Sequence, residues 1–282
     1  MFVSVNGKIL PIDEAFIPAV TDGLFYGAGC FETFKSYSGS FLHLNRHIDR
    51  LNEGVNFLTG SDESFFSVDE IKKELSQLLE KNKLENKEGI VRIQAFLSER
   101  IGYKTSDRPQ VQKVTALSKL EPTADPQSLV TSEIHVVPSS CKPAHLKLSN
   151  MLHYRQAGIS AKKSGAHDAL MITLEGNVAE TSIGNLFWEQ DHTVYTPSAK
   201  CDILPGIMRS VVLKILNKMG ITVKEGEFSR ADILDCPHVW FTNSVSEIVQ
   251  VSRIDEHIFE TDTAFINQLK KELHYYKQGQ LH

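Results

Sequence analysis

The sequence has little of what would place it outside the ordinary globular class. It holds four cysteines in 282 residues, Cys30, Cys141, Cys201 and Cys236. They are scattered and form no C-x-x-C pair, which argues against a disulfide framework and for reduced thiols in a cytoplasmic compartment. No apolar run approaches the roughly 20 residues that cross a bilayer. Met1-Phe2-Val3-Ser4 leads straight into strand-like sequence, with no basic stretch ahead of an apolar one. A cytoplasmic protein without a membrane partner is therefore expected. Basic charge is not in excess either: the formal net charge is −5, and no basic cluster is interleaved with aromatics. A nucleic-acid partner is not expected. Gly27-Ala28-Gly29 does not extend to G-x-G-x-x-G, so a dinucleotide site is unsupported. His43 and His47 have metal-capable i, i+4 spacing but no evident third ligand and no H-E-x-x-H, so no metal is expected. Repeats and low-complexity tracts are missing.

What is present reads as alternating strands and helices. Phe2, Val3 and Val5 lead to Asn6-Gly7, a strong hairpin signal. Glu32–Tyr37 reads as a strand with Ser38-Gly39 as its turn. From Asn45, Ile48, Leu51, Asn52 and Val55 recur at helical spacing and place Arg50 beside the apolar face. Ser67-Val68-Asp69-Glu70 is a capping box before Ile71, Leu75, Leu78 and Leu79. Gly89–Phe96, Val111–Ala116, Ile134–Val137, Ala169–Thr173, Asn185–Trp188 and Val239–Phe241 are expected strands. Pro205-Gly206-Ile207 starts a helix that Gly220 ends, and Ser229-Arg230-Ala231-Asp232 caps a short one. Leu120–Pro126, small polar residues flanked by prolines, is the best linker. The expectation is an α+β chain of two domains: residues 1–119, a linker at 120–128, and residues 129–282.

Five motifs carry chemistry. Leu146-Lys147-Leu148-Ser149-Asn150 puts a lysine at a strand-to-helix turn, with Ser164-Gly165 closing the helix that follows. Glu180 stands in Asn177-Val178-Ala179-Glu180-Thr181-Ser182-Ile183-Gly184-Asn185-Leu186-Phe187. Pro205-Gly206-Ile207-Met208-Arg209 opens a helix, whose N-terminal N–H groups suit an anion. Thr242-Asn243-Ser244-Val245-Ser246 is a small, hydroxyl-rich loop. Arg50, in His47-Ile48-Asp49-Arg50-Leu51, offers a planar fork suited to phosphate. Taken in their order along the chain, the five resemble the class IV aminotransferases, pyridoxal 5'-phosphate (PLP) enzymes of fold type IV, from about residue 3 to 255.

The resemblance implies a smaller N-terminal α/β domain, a larger barrel-like C-terminal PLP-binding domain, and a homodimer. It assigns Lys147 as the Schiff-base lysine, Glu180 as partner of the pyridine nitrogen, and Arg50, Ile207, Met208 and Ser244 to the phosphate. Met208 replaces the Thr or Ser common there, which leaves a backbone contact but no hydroxyl. Within the family, Asp22-Gly23-Leu24-Phe25-Tyr26-Gly27-Ala28-Gly29-Cys30-Phe31-Glu32-Thr33 is the N-terminal pocket signature. Thr33 matches the aminodeoxychorismate lyases, where branched-chain enzymes usually carry Gly and D-amino-acid enzymes an aliphatic residue. Ile90-Val91-Arg92 lacks the Tyr of the branched-chain Tyr-x-Arg but keeps the basic residue. Glu99-Arg100-Ile101-Gly102-Tyr103-Lys104 lacks the His of the D-amino-acid trap and partly echoes the lyase Arg-Gly-Tyr. The resemblance thus implies Thr33 as catalytic with Lys147, and Tyr26, Arg92, Arg100 and Tyr103 as substrate-binding. The reaction it favours is formation of 4-aminobenzoate and pyruvate, in the folate pathway. A transaminase of branched-chain, aromatic or D-amino acids with a 2-oxo acid acceptor stays open, and a binding paralogue without catalysis is disfavoured by the presence of both Lys147 and Glu180.

Overall fold

The structure, a computed structural model, describes residues 1–100, 102, 104, 106 and 108–281. The chain forms two compact units. The first comprises Met1–Glu121, the short segment Leu146–Asn150 and the chain's final residues; the second comprises Pro122–His145 and Met151–Gly279.

In the first unit, β1 (Phe2–Val5) and β2 (Lys8–Pro11) form a hairpin. Its turn places Asn6 at φ 51° and Gly7 at φ 84°, the left-handed pair that a tight hairpin requires. The short helix α1 (Asp22–Tyr26) is capped by the Thr21 hydroxyl, which accepts from Leu24 N at 3.1 Å. Then come β3 (Gly29–Tyr37), β4 (Ser40–Phe41), α2 (Leu44–Thr59), α3 (Val68–Asn82), β5 (Gly89–Leu97) and β6 (Val111–Lys119). The six strands pair antiparallel in the order β2-β1-β6-β5-β3-β4. Along β3, Cys30, Glu32, Phe34 and Ser36 are buried while Phe31, Thr33 and Lys35 are half-buried, the period-two alternation of a sheet with one closed face. Phe34, Val91 and Ile93 share that face's core with Ile48, Leu51 and Val55 of α2 and Ile71, Leu75 and Leu78 of α3.

Leu146–Asn150 joins this unit through a single β-bridge beside the start of β3. Phe31 N donates to Lys147 O at 2.9 Å and Ser149 N to Gly29 O at 2.8 Å, with Cys30 and Leu148 bridged between them.

The second unit contains β7 (Gln127–Thr131), α4 (Leu152–Lys163), β8 (Asp168–Ile172), β9 (Val178–Thr181), β10 (Asn185–Gln190), β11 (Thr193–Pro197), α5 (Ile207–Lys218), β12 (Thr222–Gly226), α6 (Ala231–Leu234), β13 (His238–Asn243), β14 (Glu247–Ile254), β15 (His257–Ile258) and α7 (Ala264–Gln278). The strand order is β12-β11-β10-β13-β14-β7-β8-β9, and β9 pairs back onto β10 through Glu180 and Asn185. Six strands therefore close into a ring, which removes the open edges of a flat sheet. Leu129, Leu170, Val178, Trp188, Phe241 and Val251 fill one core of this unit.

The α+β class with a barrel-like second unit stands as expected, and three local readings are corrected. Ile134–Val137 is not a strand: it runs on along the end of β8 beyond Leu170, where β7 stops pairing, and meets it through Val136 N to Ile172 O at 3.0 Å and the His135 ring to Thr173 O at 3.0 Å, too few backbone bonds to make a ladder. β7 begins inside the expected linker, at Gln127, because parallel pairing with β14 and β8 supplies hydrogen bonds that local composition does not advertise. The segment carrying Lys147, expected in the second domain, packs with the first unit through its bonds to β3.

Candidate active site

Lys147 is held by backbone pairing rather than by a helix. Its carbonyl is locked to Phe31 N, and its ammonium Nζ lies 4.7 Å from the centre of the Phe31 ring, within cation–π range. Gln94 fastens the same segment from β5, donating to Ser149 Oγ at 2.7 Å. In the β3–β5 register Phe31 faces Gln94 and Thr33 faces Arg92. Cross-strand partners point to the same side, so Phe31, Thr33, Arg92 and Gln94 share the half-open face of the sheet. The Thr33 hydroxyl and the exposed Arg92 guanidinium thus stand one strand step beyond the ring beneath the lysine.

The opposite face holds a buried charge cluster. Arg50 grips Glu32 with two bonds, Nε to Oε1 at 2.6 Å and Nη2 to Oε2 at 2.8 Å, and His47 Nδ1 lies 2.7 Å from Oε2. Burial alone would raise the Glu32 pKa; the charges of Arg50 and His47 and their hydrogen bonds reverse this and hold it at about 2. His47 is pushed below its usual value by burial, with Glu32 opposing and Arg50 and Lys147 adding to the effect. The His47–Glu32 contact is therefore a hydrogen bond from a neutral imidazole at pH 7, although its geometry is that of an ion pair. Arg50 Nη1 is buried and has no hydrogen-bond partner. One nitrogen of the guanidinium is left for an anion; the other two are committed to Glu32. The i, i+4 histidine pair is accounted for as well: His47 serves Glu32, and no group of His, Cys, Asp and Glu suited to a metal occurs among the described residues.

In the second unit Glu180 ends up at the closure of the barrel. Tyr154 OH donates to its Oε1 at 2.5 Å, Leu204 N to the same oxygen at 3.3 Å, and Asn185 Nδ2 to Oε2 at 3.0 Å. Asn185 is fixed in turn by Leu204 O at 2.7 Å and Gly206 N at 3.2 Å. Gly206 has to be glycine: a Cβ there would lie 2.2 Å from Asn185 Oδ1.

Gly206 also begins α5, which has no side-chain cap, so the first-turn N–H groups around Ile207 and Met208 meet the requirement for anion binding. The Met208 side chain is buried, which leaves only its backbone N–H available to a ligand there. Ser244 is half-buried in the turn between β13 and β14, where Asn243 Oδ1 accepts from Val245 N at 2.9 Å and Ser246 N at 2.7 Å. Next to it Thr242 Oγ1 is buried without a partner.

Among the expected substrate residues, Tyr26 ends α1 and is exposed, Arg92 and Arg100 are exposed, and Tyr103 lies outside the described residues. The sequence reading missed Glu32 as the partner of Arg50, although its place two residues beyond Cys30 on an alternating strand marked it as a charge on a buried face. It also missed Tyr154, which carries no local signal. No helix among the described residues is long and apolar enough to cross a membrane, and all four cysteines are free thiols.

Comparison with known proteins agrees with this geometry. The sequence profile of the family described as amino-transferase class IV matches residues 29–254. The chain is 31% identical over 264 residues to the aminodeoxychorismate lyase of Bacillus subtilis (strain 168), covering 90% of this chain and 87% of that protein. It is 29% identical over 264 residues to the D-alanine aminotransferase of Listeria monocytogenes serotype 4b (strain F2365), covering 90% and 88%. The branched-chain amino acid aminotransferase of Thermobaculum terrenum, solved in its PLP form, matches with a TM-score of 0.85 at 19% identity, covering 98% of this chain and 92% of that one. The profile runs from the first residue of β3 to the last of β14 and takes in both Lys147 and Glu180, and on that span the chain belongs to the class IV amino-transferase family of enzymes.

Proposed function

We propose that this enzyme is an aminodeoxychorismate lyase, releasing 4-aminobenzoate and pyruvate from 4-amino-4-deoxychorismate for folate synthesis. The observation that carries the reading is the pairing of Thr33 with Arg92 on the face where Lys147 lies over Phe31. A hydroxyl and a cation there suit a substrate that carries carboxylates and must lose one side chain. The lyase of Bacillus subtilis, at 31% identity, supports the same choice.

The cofactor is pyridoxal 5'-phosphate, and the residues present fit it. The unpartnered Arg50 Nη1, the uncapped start of α5 and the unpartnered Thr242 Oγ1 are donors suited to a phosphate, and the neutral face of His47 adds no competing charge. Arg50, the backbone of Ile207 and Met208, and Ser244 would hold the phosphate, and Glu180 the ring nitrogen. When bound, the cofactor supplies an aldehyde for the substrate amine and a ring that accepts electrons. Lys147 would hold the cofactor and move the proton at the substrate Cα. Arg92, with Arg100, Tyr26 and Tyr103, orients the substrate and its carboxylates, and the Thr33 hydroxyl positions the proton donor for elimination.

A transaminase is the second reading, favoured by the 29% identity to a D-alanine aminotransferase. Incubation with aminodeoxychorismate, and separately with L- and D-amino acids plus 2-oxoglutarate or pyruvate, decides between them: pyruvate release from the first supports the lyase, and keto-acid formation from the second alone overturns it. A homodimer belongs to the same proposal. Phe16, Leu24 and Phe25 are 82%, 65% and 59% exposed on the first unit, an apolar run that a second copy would cover. Light scattering at working concentration tests it, and an active monomer contradicts it.

A further inference from the structure

Among the described residues, Lys142 is the one buried lysine of the second unit, and the proposed chemistry does not use it. It follows the turn Pro138–Cys141, which is pinned by Asp202: Ser139 N and Oγ donate to Asp202 Oδ1 at 2.8 and 2.6 Å, and Lys142 N donates to Pro138 O at 3.1 Å. Although it is 8% exposed, its ammonium meets no carboxylate at salt-bridge distance among the described residues. It donates to Met151 Sδ at 3.2 Å, a weak acceptor, and stands 6.0 Å from the centre of the Tyr154 ring. Tyr154 lies in the first turn of α4, and its hydroxyl is spent on Glu180 Oε1 at 2.5 Å. His153 packs at a tilt against the same ring, centroids 4.3 Å apart, with Nε2 buried and unpartnered.

A buried lysine without a direct counter-ion is costly, and this one is placed where its field reaches Glu180 through an aromatic ring. We propose that Tyr154 and Lys142 are positioning residues for Glu180: Tyr154 sets the direction of the carboxylate, and Lys142 sets the strength of its negative field. This rests on the reading of Glu180 as partner of the cofactor's ring nitrogen.

The charges facing the pair are few. Burial, then Glu180, and more weakly Asp202, push the Tyr154 hydroxyl far above its usual pKa, so it remains a donor throughout the working range. Burial lowers the Lys142 pKa, with Glu180 opposing. Burial and then Lys142 lower His153 to about 4, which keeps that ring neutral. Lys142 is thus the basic group of this cluster that couples electrostatically to Glu180, and its side chain is the one to vary to change the field there. A carboxylate gripped by a hydroxyl and facing an ammonium is less basic than a bare one. Removing either group makes Glu180 effectively more negative and favours protonated forms of whatever it faces.

The test is a double-mutant cycle on the holoenzyme. Tyr154→Phe and Lys142→Met are each made with Glu180 intact and in the Glu180→Gln background. The readouts are kcat, KM, the dissociation constant for the cofactor, and the pH midpoint of its visible absorbance. With Glu180 intact, Tyr154→Phe should lower kcat about tenfold, the scale of one hydrogen bond to a charged group, while KM stays within about threefold. Both variants should move the absorbance midpoint upward by about half a unit, the scale of one partly screened nearby charge, and Lys142→Arg should restore it. In the Glu180→Gln background both effects should vanish. Equal effects in the two backgrounds, or an unmoved midpoint, overturn the proposal and leave Glu180 as assigned. Wild-type kcat in Glu180→Gln alone overturns the assignment of Glu180, and the proposal with it. Should Tyr154→Phe fail to fold, the Lys142 arm completes the cycle by itself.

Discussion

Asn185 stands opposite Glu180 in the pairing that closes the barrel, and its amide donates to the Glu180 carboxylate at 3.0 Å. The same amide is held by Leu204 O and Gly206 N. The orientation of the carboxylate is therefore a property of the closed sheet rather than of one rotamer.

Gly206→Ala tests that coupling. With φ at −64° the backbone tolerates alanine, but the new Cβ would strike Asn185 Oδ1. A loss of about 1–3 kcal/mol in stability is expected, the usual cost of overpacking, together with weaker cofactor retention. Thermal unfolding of the apoprotein and cofactor titration measure the two, and unchanged values would mean that Asn185 yields freely.

Glu180→Gln should retain the cofactor and lower kcat by about 10²–10³, the range seen when a preorganised electrostatic partner is lost. Steady-state kinetics against equilibrium binding of the cofactor separate the effects. A large fall in binding with kcat preserved in the bound fraction would contradict the role given to this carboxylate.

Lys147→Ala should abolish turnover and leave the fold nearly intact, because backbone bonds to Gly29 and Phe31 hold the segment in place. Borohydride reduction followed by peptide mapping should label Lys147 in the parent and nothing in the variant. Labelling of another lysine would refute the assignment.

Arg50→Ala should weaken cofactor binding and also leave Glu32, fully buried, with only His47. Breaking a buried pair costs about 3–5 kcal/mol at neutral pH. Glu32 is depressed from 4.5 to about 2 in the folded state, so its contribution is complete above about 4.5 and is lost as pH falls toward 2. The stability gap between parent and variant should narrow across that window in urea titrations at stepped pH. A gap independent of pH would mean that Arg50 contributes through packing alone.

Thr33→Val keeps the branched shape and removes the hydroxyl. A lyase so altered should lose most pyruvate release from aminodeoxychorismate while any side transamination of simple amino acids survives. Equal loss of both would mark Thr33 as a structural strand residue chosen for its β-propensity.

Much of the fold was legible because its signals are local. Asn6-Gly7 turns the first hairpin, Ser67 accepts from Glu70 N at 3.2 Å as its capping box implied, and Ile48, Leu51 and Val55 are buried as their spacing required. What escaped depends on distant partners. Gln127–Thr131 becomes a strand only because β14 and β8 lie on either side of it, and Ile134–Val137 fails to become one because only the last residues of β8 are left for it to meet. The site divides in the same way. Lys147, Glu180 and the start of α5 could be found from motifs in order. That two nitrogens of Arg50 would be spent on Glu32, 18 residues earlier, and that Tyr154 would reach Glu180, 26 residues later, are facts of tertiary packing.

The excursion of Leu146–Asn150 into the first unit has a consequence for the covalent order of the chain. The polypeptide leaves that unit after Glu121, returns for five residues, and leaves again. A fragment ending near residue 121 would carry the strand that seats the lysine but not the lysine, and the complementary fragment would carry the lysine but no seat for it. Neither piece made separately can hold Lys147 in its native setting, so the first unit cannot be inherited, duplicated or swapped as an independent module without losing the segment that completes it.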